Sequence, residues 1–320
     1  ELHKTNHEHD HDTQQQQTTT HEDKADKEIT ELGKSFTLSK NEAAVLRSEL
    51  ATSASRSNDI FVTTTKLLEA QQTLNKELGL TVQFEGDTLV QATKLLEKVK
   101  LQGAAVAGLA AQSVVAGESF EDNYKNALAT AYQFQVQTGR TADLRKIMDQ
   151  VGQVTGALRA QLGGSTVEIA KAVANAETLG MNMKEVASAG RQLLDFESSI
   201  TKELEAEVLL GKQLNLEKAR AAALTGDQVT LQNELQKNVG TFTDFTRMNV
   251  LQQEALAAAM GMQSDQLSDI LFKQEIQGKT AKELRALGKD ELASRLEATT
   301  AQDKFNAVMT KLQGILADIV

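Results

Sequence analysis

The sequence predicts an all-α protein, and three observations predict it. No proline occurs in 320 residues, where average usage of about 5% would give roughly 16. An interior proline costs a helix about 3 kcal/mol, so its absence suits a chain that is helix almost throughout. Aromatic residues make up only 4%, with no Trp and two Tyr, which favours thin bundles or coiled coils over a thick core. Finally, glycine followed by a capping residue recurs from Asn182 to Gly288. Glycine accepts the left-handed conformation that closes a helix, and Ser, Thr, Asn or Asp covers the free N–H groups of the next. A Glu three residues later completes a capping box. Gly180 before Asn182 and Glu185, Gly261 before Ser264, and Gly278 before Thr280 and Glu283 follow this grammar.

The same composition narrows the chemistry. Cysteine is absent, which removes disulfides, thiolate nucleophiles and cysteine metal sites. A formal charge of −10 speaks against a general grip on nucleic acid, which needs clustered Lys and Arg. All five histidines lie at or before His21, so no Ser-His-Asp arrangement fits the folded part. His7-Glu8-His9-Asp10-His11 spells the H-E-x-x-H string of zinc peptidases, but no apolar periodicity surrounds it to make a buried helix. It reads as composition, with adventitious transition-metal binding by His7, His9 and His11 as the weaker alternative. The sequence nominates no catalytic, cofactor-binding or metal-ligating residue and no cofactor. It carries no signal-peptide pattern. The chain begins at Glu1 and stops within a periodic run, so a section of a longer protein is expected.

Residues 1–28 are charged, His- and Gln-rich, and predict a disordered polar tail or linker. Residues 29–140 predict long helices. Leu46, Leu50, Ser53, Ser57, Ile60, Thr64, Leu67, Gln71, Leu74 and Leu78 alternate spacings of three and four. That is either a coiled-coil seam with polar register positions or an exposed helix with coincidental spacing. Helical throughout, Glu31–Leu78 would span about 70 Å. Val82 and Phe84 predict a short extended link after Gly79, and Asp87 predicts the cap of a helix to Leu101. Leu101–Gly117 is uncharged, and Gly103, Ala104, Ala107 and Gly108 form small-residue pairs. A tight helix–helix contact is preferred there over membrane insertion, because the stretch is short and poor in large apolar residues. Ser119 with Asp122 predicts a helix start, followed by Tyr124, Leu128, Tyr132 and Phe134 as core.

Residues 141–320 predict helical hairpins or a bundle. Thr141 is the expected cap for a helix with Leu144, Ile147, Met148, Val151 and Val154 on one face. Gly163-Gly164 predicts a break, and Ser165 or Thr166 a new cap. Leu193, Phe196, Ile200, Leu204 and Val208 predict the inward side of a helix closing near Gly211. Glu197, Glu203, Glu205 and Glu207 then read as a solvated face paired with Lys202 and Lys212, rather than as a glycosidase carboxylate pair. Asn215, Asp227 and Asn249 are expected N-caps. From Lys289 the period lengthens through Leu292, Leu296, Phe305, Val308, Leu312, Ile315 and Ile319.

Several strings in this half resemble phage tail tape measure proteins. They are Leu194-Asp195-Phe196-Glu197-Ser198-Ser199-Ile200, Ala223-Leu224-Thr225-Gly226-Asp227 and Met248-Asn249-Val250-Leu251-Gln252-Gln253-Glu254-Ala255-Leu256. Ala301-Gln302-Asp303-Lys304-Phe305 is similar to the same family, and the resemblance covers about Thr141 to Val320. It implies a long, mostly helical, non-enzymatic structural protein present in several copies. Such proteins fill the tail tube lumen of the virion, set tail length during assembly in the host cytoplasm, and contact tail tube and tail tip proteins. From the charge no direct nucleic-acid binding is expected, and membrane contact stands as the less favoured alternative for this section. Two other classes stand beside it. One is a helical scaffold that binds partner proteins, although the glycine spacings share no repeat length. The other is a fragment of an enzyme such as a cell-wall hydrolase, for which no constellation is visible.

Overall fold

In the computed structural model of the protein, which describes residues 24–138, 142–154, 156–276 and 281–286, the chain is helices joined by short connections. No strand occurs among the described residues, so the all-α class holds. The tail before residue 24, the Gly278–Thr280 cap and the run from Lys289 lie outside the described residues. Two compact units divide between Ala110 and Ala111, inside one helix. The expected boundary at residue 140 is therefore displaced by about one helix.

The first unit holds α1 (24–36), α2 (Lys40–Ser57), α3 (Thr64–Leu78), α4 (Gly86–Lys94) and the first half of α5 (Gly103–Ala116). α2 and α3 pack on each other and on α4. The predicted 70 Å helix over Glu31–Leu78 is thus corrected to three helices folded against one another. Asn58 ends α2 in the left-handed region at φ 49, a conformation Asn tolerates better than most residues. Asp59 then accepts a hydrogen bond from Phe61 N–H at 3.0 Å, and this local turn replaces a helical one. Of the seam, Leu46, Leu50, Leu67, Gln71 and Leu74 are buried, whereas Ile60 sits on the turn and is 88% exposed.

Buried Gln71 does not set a coiled-coil register. Its amide donates to Val82 O at 2.8 Å and accepts from Phe84 N–H at 3.0 Å. It thereby satisfies the extended link that follows Gly79, as a neighbouring strand would. α4 starts at Gly86, so Asp87, the next residue, lies in the first turn rather than at the cap. Its last turn widens into a π turn over Leu95–Val99. The expected tail boundary at residue 28 also moves. Glu28 lies in α1, buried, and accepts from Arg47 Nε at 2.9 Å and Thr65 Oγ1 at 2.8 Å. At Gly103, the first residue of α5, a Cβ would stand 2.8 Å from Thr73 Cγ2 of α3. No helix among the described residues is long and apolar enough to cross a membrane.

The second unit is arranged round α9 (Thr166–Thr178), whose Ile169, Ala170, Ala172, Val173, Ala174 and Ala176 are all fully buried. α6 (Phe120–Thr138), α7 (Leu144–Gln153), α10 (Met183–Leu194) and α13 (Gln228–Val239) pack on it. α6 is the longest described helix at 19 residues, about 28 Å. Tyr124 and Leu128 are buried as expected, but Tyr132 is exposed and is not core. α7 is capped by Asp143, which accepts from Arg145 and Lys146 N–H, while Thr141 lies outside the described residues. The short α8 (Gly156–Gln161) leads to the break at Gly163-Gly164. The remaining elements are α11 (Phe196–Leu210), α12 (Glu217–Thr225), α14 (Phe242–Arg247), α15 (Val250–Ala259), α16 (Ser264–Ile276) and α17 (Ala281–Ala286).

The capping grammar is realised at Asn182 with Glu185 and at Asn249 with Gln252, both reciprocal boxes. Ser119 likewise accepts from Asp122 N–H. Gly180 and Gly261 both close helices at φ +71. Three details shift. α16 begins at Ser264 itself, and the Gln263 N–H pairs with Gln266. Leu216, rather than Asn215, precedes α12. The expected single helix through Leu193 and Val208 is cut at Asp195, which ends α10 and caps α11.

Candidate functional site

α11 is turned the opposite way from its sequence pattern. Its apolar residues Phe196, Ile200, Leu204 and Val208 are 46%, 45%, 56% and 82% exposed. Ser199, Glu203 and Ala206 are buried instead, and α11 packs on α15 and, more lightly, on α10. The reason lies in the connection after Gly211. Glu203 accepts from Leu216 N–H at 3.0 Å and from Arg220 Nη1 at 2.6 Å, and Arg220 also donates to Ser199 Oγ at 3.3 Å. Glu207 accepts from Leu214 N–H at 2.7 Å. These backbone groups have no partner within the loop, so the acids of α11 turn inward to supply one.

This corrects the reading of the four acids as a solvated face paired with Lys202 and Lys212. Glu203 and Glu207 are structural, while Glu197 and Glu205 stay exposed. The signal was present in the sequence as Leu214-Asn215-Leu216, a loop whose Leu side chains offer no hydrogen-bond acceptor. The outward result is an apolar stripe at every fourth position, edged by Glu197 and Glu205.

Elsewhere the polar groups serve the fold. Gln232 of α13 is fully buried, accepts from Asn175 Nδ2 at 2.6 Å and donates to Ala172 O at 3.3 Å. Glu177 holds Lys146 at 2.7 Å and accepts from Gln150. The side-chain amide of Asn123 and the Tyr124 hydroxyl are buried without hydrogen-bond partners, and burial pushes the Tyr124 phenol above its ordinary pKa. No group of three or more His, Cys, Asp or Glu that could hold a metal occurs among the described residues. His7, Glu8, His9 and His11 lie outside them.

One ion pair gives the first unit an acid limb. Asp59 pairs with Lys98 at 2.5 Å. Burial raises the Asp59 carboxyl, but Lys98, the Phe61 N–H and Lys94 together outweigh it and hold the pKa below the ordinary carboxylate range. A depressed acid contributes stability above its unfolded pKa of about 3.9 and loses it as pH falls through the folded value. Asp59→Asn is therefore expected to lower stability at pH 7 and to flatten its decline below about pH 4. Urea midpoints taken from pH 7 to pH 2.5 check this; parallel curves for both proteins would refute it.

Comparison of the chain with protein-family models, with curated proteins and with solved structures finds no match.

Proposed function

We propose that this chain is a structural section of a phage tail tape measure protein and acts through helix–helix association rather than chemistry. The observation that carries the reading is where the resembling strings fall. Leu194–Ile200 is the α10–α11 joint, Ala223–Asp227 the α12–α13 turn and Met248–Leu256 the entry to α15. These helices pack on one another in one cluster: α10 on α11, α12 and α13, and α11 on α15. The similarity thus follows the joints of a packed region rather than scattered helix-forming sequence. In this reading several copies sit in the tail lumen of the virion beside tail tube and tail tip proteins, with assembly in the host cytoplasm.

The ruler works by folded units, since Glu31–Leu78 is three packed helices. In-frame removal of residues 24–110, the described part of the first unit, from the encoding gene is expected to shorten the tails seen by electron microscopy. The shortened protein should still be found in purified virions. Tails of unchanged length, or virions that lack the chain, would sink the reading.

A further inference from the structure

The apolar stripe of α11 runs from Phe196 to Val208, about 18 Å along the helix axis. One exposed flank carries Glu197 and Glu205, each one residue after a stripe position. Two α11 helices facing each other would bring these acids together, which disfavours a second copy as the occupant. The better match has an apolar face of the same length edged by lysines.

The sequence supplies one. Phe305, Val308, Leu312, Ile315 and Ile319 recur at spacings of three, four, three and four, the pattern of a helical face about 21 Å long. Lys304 and Lys311 each precede a position of that face by one residue. They stand seven residues apart, against eight for Glu197 and Glu205. Reach permits the match. α16 packs on α15, and α15 packs on α11. The chain from Ala286 to Phe305 can extend about 60 Å, while a unit of this size has a radius of gyration of about 15 Å.

We propose that the stripe of α11 is the dock for the C-terminal run Phe305–Ile319 of the same chain. The dock covers the apolar stripe with an apolar face and sets Lys304 and Lys311 against Glu197 and Glu205. This inference stands apart from the tail reading, because it concerns one chain in solution.

The chain contains no cysteine, so an introduced pair reports without background. In the full chain, L204C/L312C is expected to oxidise at least tenfold faster than L224C/L312C, whose residue 224 is an exposed leucine on α12 of the same unit. The product should run at monomer size, at a rate independent of protein concentration. Adding K304E/K311E should slow it several-fold. The proposal is overturned by a rate no faster than the control. It is also overturned by concentration-dependent 204–312 dimers, or by L204C alone forming 204–204 dimers faster than the pair closes. An unchanged rate with K304E/K311E would overturn the charge pairing.

Discussion

Glu203→Ala is expected to destabilise the second unit by about 3–5 kcal/mol, the cost of removing one partner from a buried ion pair. Arg220 would lose the carboxylate at 2.6 Å, and the N–H of buried Leu216 would lose its acceptor at 3.0 Å. Neither is rescued easily by water, since the side chains of Arg220 and Glu203 are only 13% and 11% exposed. Glu205→Ala, two residues along the same helix and exposed, should change stability by no more than about 0.5 kcal/mol. Urea unfolding of the two variants beside the parent separates the outcomes. Similar effects from both would mean that the acids of α11 form an ordinary solvated face after all.

Gly261→Ala should cost about 3 kcal/mol, more than a helix-closing glycine usually does. Gly261 ends α15 in a Schellman arrangement, with Met262 N–H on Ala257 O at 2.9 Å and Gly261 N–H on Ala258 O at 3.1 Å. Its φ of +71 alone penalises a Cβ by about 1–2 kcal/mol. In addition, that Cβ would stand 2.8 Å from Ala189 O and 2.9 Å from Gln192 Cβ, atoms fixed in α10, and overpacking adds about 1–3 kcal/mol. Gly211 is the matched control: φ is +62, but nothing lies within 4 Å. Gly211→Ala should therefore cost only the left-handed penalty. Thermal melts of both variants decide the matter, because equal shifts would show that α15 and α10 do not approach so closely.

What the sequence makes legible is what neighbours in sequence decide. The boxes at Asn182 and Asn249 and the start at Ser119 need partners three residues away, and those partners are in the sequence beside them. The helix class follows from the same local grammar and from the missing proline. Partners from elsewhere are what escape. Asn215 looks like a cap, yet its own N–H is bonded to Asn238 Oδ1, and Leu216 N–H is taken by Glu203. The break at Asn58 is hidden because a left-handed residue there is not glycine. The stripe of α11 is legible as a stripe but not in its direction. Apolar periodicity says which residues share a face, and the loop that Glu203 and Glu207 must satisfy says which way that face turns.

The centre of the second unit carries one more implication, for how the protein can change over generations. α9 is enclosed by four helices, and its fully buried residues include Ala170, Ala172, Ala174 and Ala176. Cores built on Leu or Phe drift by trading bulk between neighbours, one side chain shrinking as another grows. A methyl group has nothing to trade: a larger residue at these four positions must push a whole helix away. Divergence of this protein should thus run through its large residues and its surface, while the smallest side chains stand still.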